Sequence, residues 1–242
     1  MRWLKRLKAS KLNPMGPDFS TAPWIDFDLS GRKLKFRCPH NEMSGPVQRH
    51  SKKINIYQDE DFEHWNNETG MSVDLLSTGW KFWDRPYGEG ALGYLLLELR
   101  LHRRDPHYRK IDSMLNQKDM EQWLLAYADG VWGVLNRDLD ERAELKVRPI
   151  IPEKDYWRYP GSSTDIKSIF INNIQWYSYT AELPSSTKWR LFHTPISEDH
   201  ELTFSFIPSA IGRNYYKDDH DLDGAVERTV HEFIENVHIK LD

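Results

Sequence analysis

The sequence has a single cysteine, Cys38, among its 242 residues. No intramolecular disulfide can form, so the core must hold the fold unaided, as is usual in a reducing compartment. No run of ~18 apolar residues occurs, and no membrane-spanning helix is expected. Neither sign of charge dominates: 33 Lys and Arg face 37 Asp and Glu, for a net charge of −4. No global field therefore draws the chain to nucleic acid or to an acidic membrane. No repeat of ~20–50 residues is visible. No secretory leader is expected at this N-terminus either. Arg2, Lys5, Arg6, Lys8 and Lys11 are followed by Leu12-Asn13-Pro14 rather than by an apolar stretch. Trp3, Leu4 and Leu7 would suit one turn of a basic helix in peripheral contact with a membrane, but a frayed tail is the simpler expectation.

What is abundant is aromatic surface, 13% of the chain with 10 Trp. Residues 1–23 carry Pro14, Pro17 and Pro23 and read as a tail. Trp24 to Leu29 and Arg32 to Arg37 alternate around Ser30-Gly31, the pattern of a hairpin. Met71 to Leu76 and Trp80 to Trp83 are apolar runs. Between Gly90 and His102, Leu95, Leu97, Leu99 and Leu101 alternate with other residues, which predicts a strand, although a helical face through Leu92, Leu95, Leu96 and Leu99 also fits. Asn116 opens a helix as its cap, with Asp119 in the first turn and an apolar stripe of Met120, Trp123, Leu124 and Tyr127. Gly130 and Gly133 loosen its end, and the charged stretch 137–155 is the best internal seam. Ile166 to Ile171 and Ile174 to Ala181 flank Asn172-Asn173, a pair that tolerates positive φ and suits a tight turn. Two more runs, an amphipathic helix with Val226, Val230, Phe233, Ile234 and Val237 on one side, and a short strand close the chain. The expected class is α+β: helices on an antiparallel sheet, in one domain over residues 24–242.

Over residues 150–242 this order of elements resembles the PsbP-like α/β superfamily. The Asn-Asn hairpin, the run His200-Glu201-Leu202-Thr203-Phe204-Ser205-Phe206, a loop, a helix and a terminal strand carry the likeness. It implies a non-catalytic binding fold, including chaperone-like adaptors.

No strong catalytic, metal or phosphate motif is present. Asp219, Asp221 and Asp223, followed by Gly224, resemble the first half of a calcium loop, but Val230 stands where a bidentate Glu is needed. The plainer reading is that Asp221 or Asp223 caps the closing helix. Gly88-Glu89-Gly90-Ala91-Leu92-Gly93 matches a dinucleotide pattern but leads into a strand, not a helix. Glu227, His231 and Glu235 line one helical row, more often a solvated face than a site. Cys38-Pro39-His40 invites a thiol nucleophile, yet a buried structural thiol is simpler. Arg103 and Arg104 belong to a basic run from Arg100 to Lys110, which would contact an acidic partner or lie solvated. Trp157, Tyr159, Trp176, Tyr177 and Tyr179 are a dense aromatic group. Trp176 and Tyr177 face opposite sides of a strand, so one face would offer an aromatic binding surface unless both are covered.

These features favour a non-enzymatic cytoplasmic protein-binding module: an adaptor, a chaperone-like partner or an inhibitor of the immunity type. Its partner would be a protein and not nucleic acid, and it would need no cofactor. The alternative is a hydrolase that uses the 218–223 acidic cluster to hold Ca2+ or another divalent cation.

Overall fold

The structure, a computed structural model, describes residues 6–45, 47–62, 69–88, 90–144, 149–241. Trp3, Leu4 and Glu89, which belong to the basic N-terminal turn and the glycine pattern, lie outside these. The strands are β1 (Trp24–Leu29), β2 (Arg32–Arg37), β3 (Gln48–Arg49), β4 (Lys53–Ile54), β5 (Gly70–Phe82), β6 (Gly93–Arg104), β7 (Lys167–Ile171), β8 (Ile174–Leu183), β9 (Thr187–Pro195), β10 (His200–Ala210) and β11 (His238–Lys240). The α-helices are α1 (Gln117–Ala128), α2 (Val134–Glu144), the single turn α3 (Pro152–Asp155) and α4 (Leu222–Glu235). One sheet has the order β11-β2-β1-β4 and the other β3-β5-β6-β10-β9-β8-β7. The class is α+β. No described helix is long and apolar enough to cross a membrane.

The chain divides into two units. The first comprises Met1–Asn55, Leu75–Glu98 and Phe206–Asp242, the second Ile56–Asp74 and Leu99–Ser205. The 137–155 stretch therefore lies inside the second unit and marks no boundary.

In the first unit, Ser30 and Gly31 take φ of 55° and 96° and close the β1–β2 hairpin, which pairs from Trp24↔Arg37 to Leu29↔Arg32. β11 adds to β2 in antiparallel register, and α4 buries Val226, Val230, Phe233 and Ile234. Phe233 is the hub of an aromatic cluster with Phe19, Phe36, Trp80 and Phe206, at ring separations of 5.4–6.1 Å. Phe19 is wholly buried, which corrects the reading of residues 1–23 as a tail. A lone apolar residue between prolines carries no periodicity, so its burial leaves no sequence signal. β5 is one strand rather than two runs. Gly79 sits within it because a Cβ there would come within 2.6 Å of Met43 and 3.1 Å of the Leu95 carbonyl.

In the second unit, Asn172 and Asn173 take φ of 53° and 61°, and the β7–β8 hairpin closes on Ile171↔Ile174. β9 continues the antiparallel meander. Asn116 caps α1, accepting from the Lys118 and Asp119 amides at 3.0 and 3.3 Å. Asp119 turns back to accept from Ser113 and Asp112, and those amides hold its carboxyl below the usual range. The chain does not stop at Gly130 and Gly133. It passes through a π turn, Asp129–Gly133, straight into α2.

Candidate functional site

The candidate features of the second unit are built around α1, the π turn and α2. α1 lays Met120, Trp123, Leu124 and Tyr127 into a core shared with Tyr177, Tyr179 and Leu191. Beneath it lies a row of buried polar groups. Thr203 donates to one oxygen of Glu201 at 2.6 Å, while Nδ1 of His193 stands 3.1 Å from the other and 3.1 Å from the Thr203 hydroxyl. Tyr179 stacks on the His193 ring at 5.2 Å, and Tyr127 meets both His193 and His102 edge-on. Glu201 and His193 are wholly inaccessible to solvent. Burial pushes the Glu201 carboxyl up, but His193 and its hydrogen bond, with His102 and Thr203, outweigh that and leave it below its ordinary value. Burial drives His102 down to about 4. It also raises the Tyr179 hydroxyl well above its usual range, with Tyr127 and Glu201 adding to the effect. His193 Nε2, Tyr179 Oη and Trp123 Nε1 have no hydrogen-bond partner among the described residues. His193, Glu201 and Thr203 in this row are closed to solvent.

Among the described residues, one accessible feature is a groove of ≈ 340 Å³ lined by Leu135, Asp138, Leu139 and Arg142 of α2 and by Asp155, Trp157, Leu183 and Ser185. The α2 residues are spaced i, i+3, i+4, i+7, so one helical face forms a wall. None of the described α2 side chains is buried, and Val134 and Leu135 are 41% and 43% exposed. The opposite wall is tied to α2 and the π turn by hydrogen bonds. Asn136 donates to the Trp157 carbonyl at 2.9 Å and accepts from its amide at 2.8 Å. Tyr156 donates to Asp140, and Tyr159 donates to Asp129 at 3.0 Å. Arg137 also grips Asp129, at 3.0 and 3.2 Å. That guanidinium first, and the Tyr159 hydroxyl after it, keep the Asp129 carboxyl below its usual range. Gly133 makes this closure fit, because a Cβ there would overlap the Asp129 carboxylate and come within 2.6 Å of the Tyr159 hydroxyl. Trp157 itself packs edge-on against Trp189 at 5.5 Å, and Trp132 meets both.

The structure separates the residues grouped by sequence. Trp157 and Tyr159 are half-buried at or beside the groove. Trp176, Tyr177 and Tyr179 are buried, at 0%, 2% and 5% exposure, so they form no binding surface. Both faces of β8 are covered, and strict alternation does not reveal that. Arg103 and Arg104 are likewise not a free basic rim. Arg103 pairs with Asp59 and lies 4.5 Å over Phe62, while Arg104 pairs with Asp199 and donates to the Ile111 carbonyl.

The three aspartates in the first unit turn to different partners. Asp219 pairs with Lys11 at 3.6 Å, Asp221 caps α4 through the Gly224 amide and pairs with Arg228, and Asp223 accepts from Tyr215 at 2.7 Å. Among the described residues no group of three or more His, Cys, Asp or Glu side chains is placed to hold a metal ion. His231 and Glu235 form an exposed i,i+4 pair at 3.3 Å. Cys38 is buried, and burial pushes its thiol up to about 12, away from nucleophilic use. Gly88 and Gly90 are turn residues with φ of 92° and 113°, leading into β6. Comparison with known proteins found no matching family model, no matching curated protein and no matching solved structure.

Proposed function

We propose that the chain is a non-enzymatic, cytoplasmic protein-binding module that uses the α2 groove. The observation that supports this is a helix with no described buried side chain that directs Leu135 and Leu139 toward Trp157 and Leu183. A helix of that kind gains little from its own core, and its apolar row is left for a partner. The wall opposite is fixed in advance by Asn136, Asp140 and Asp129, so little ordering entropy is lost on binding. The rim carries Asp138 and Asp155 against Arg142, an acidic excess of one. The partner that fits presents one or two apolar side chains beside a basic residue. An adaptor, a chaperone-like or an inhibitor role is served by this surface, in keeping with the PsbP-like order of elements. The hydrolase reading loses its footing, because Asp219, Asp221 and Asp223 are engaged apart from one another.

The test is capture from native cell extract by the wild type and by Leu139→Asp, followed by reconstitution with the purified partner. A partner held stoichiometrically by the wild type and lost by the variant supports the reading. Equal retention by both proteins, or turnover of a substrate by the chain alone, sinks it.

A further inference from the structure

We propose that β7 is a self-association edge, pairing antiparallel with β7 of a second copy in a register centred on Ile169. β7 ends the seven-stranded sheet, and at five residues it is the longest terminal strand of either sheet, against two for β3, two for β4 and three for β11. Sheet edges are templates for another strand, and proteins blunt them with short length, proline, bulges or charge. β7 reads Lys-Ser-Ile-Phe-Ile, with one charge and no proline.

The hairpin decides which backbone groups face out. In a two-residue hairpin the flanking pair, here Ile171↔Ile174, exchanges both hydrogen bonds. Alternation then turns Ile169 and Lys167 toward β8, and it turns the N–H and C=O of Ser168 and Phe170 to the outer edge. Outside the strand ladders, no described backbone group bonds to them. Phe170 is 74% exposed, the most exposed of the large apolar side chains described.

A second β7 satisfies this edge symmetrically. With Ile169 opposite its own copy, Ser168 lies opposite Phe170 and Phe170 opposite Ser168. Each of these two pairs exchanges two backbone hydrogen bonds. Lys167 then faces Ile171, so no like charges are opposed. The two Phe170 rings are diagonal neighbours on one face, within the reach of aromatic side chains, and cover each other. The contact is isologous, closes as a dimer and leaves no free β7 edge. A patch this small makes a concentration-dependent dimer rather than an obligate one.

The test is sedimentation of the full chain over a concentration series, with Ser168→Pro and Phe170→Lys alongside. Proline at 168 removes an outward N–H and the Ser168 hydroxyl that accepts from Gln175 Nε2 at 2.7 Å, and leaves the β7–β8 backbone bonds in place. The expected result is a doubling of mass with concentration in the wild type and its loss in both variants. Cysteine pairing checks the register in a Cys38→Ser background, whatever the folding of the proline variant. Ile169→Cys places two sulfurs across the twofold axis in a non-hydrogen-bonded pair, close enough for a disulfide. Lys167→Cys does not. Rapid cross-linking of the first and not the second is expected. A wild type that stays monomeric to its solubility limit, a dimer untouched by Phe170→Lys, or equal cross-linking at 167 and 169 would overturn the proposal. Capture of the groove's partner by Phe170→Lys is expected to be unchanged, which separates the two surfaces.

Discussion

His102 is buried between Trp123 and Tyr127, and burial holds its pKa at about 4, below the ordinary histidine value of 6.5. Between those two values the unfolded chain binds a proton that the folded chain refuses. Stability must therefore be full above pH 6.5 and fall as pH drops toward 4. Going from pH 7 to pH 5 protonates His102 almost completely in the unfolded state and barely in the folded one, a loss of about 2 kcal/mol. Glu201 adds to this only at lower pH, because its depressed carboxyl loses its advantage below the ordinary Glu range. The assay is urea unfolding at pH 7, 6 and 5 for the wild type and His102→Leu. Whatever the variant's absolute stability, its loss over that interval should be smaller by about 2 kcal/mol. A wild type as flat as the variant, or one that gains stability on acidification, would refute the argument that burial keeps His102 neutral.

Further predictions concern the groove wall, the buried row and the cap of α4. Gly133→Ala, which by helix propensity alone would stabilise, should instead cost about 1–3 kcal/mol by thermal unfolding, because the new Cβ displaces Asp129 and Tyr159. Tyr179→Phe should leave stability unchanged or raise it by about 1 kcal/mol, since it removes a buried hydroxyl with no partner among the described residues. A marked loss in chemical denaturation would show that this hydroxyl is bonded after all. Asp221→Ala should cost about 1 kcal/mol through the lost cap on the Gly224 amide, equally with and without calcium. A melting temperature raised by calcium in the wild type alone would restore the metal reading.

Some of this architecture is legible in the residues, and the gaps have physical causes. β6 is readable because Leu95, Leu97, Leu99 and Leu101 alternate and are all fully buried. The Asn172-Asn173 turn and the Asn116 cap follow from local chemistry that tertiary contacts do not override. α2 is hidden because Val134, Leu135, Leu139 and Ala143 are its only apolar residues among polar and charged ones, and a helix with no core face shows too short an apolar row to read. Its groove is hidden for the same reason, since Trp157 and Leu183 reach it from distant segments. The buried row did leave a signal. Glu201 stands in an apolar strand with Thr203 two residues on, and a carboxylate in a covered strand needs a partner such as His193. The aromatic group misled, because period-2 spacing says which residues share a face but not whether a helix covers it.

The most direct test of the groove places a photo-crosslinking side chain at position 139 in the wild-type background, with position 231 on the exposed face of α4 as control. After irradiation in cells, mass spectrometry should find one protein attached at 139 and absent at 231. Its contact peptide should carry apolar residues beside a lysine or arginine. No adduct at 139, or the same adducts at both positions, would contradict the claim that α2 and Trp157 form a protein-binding site.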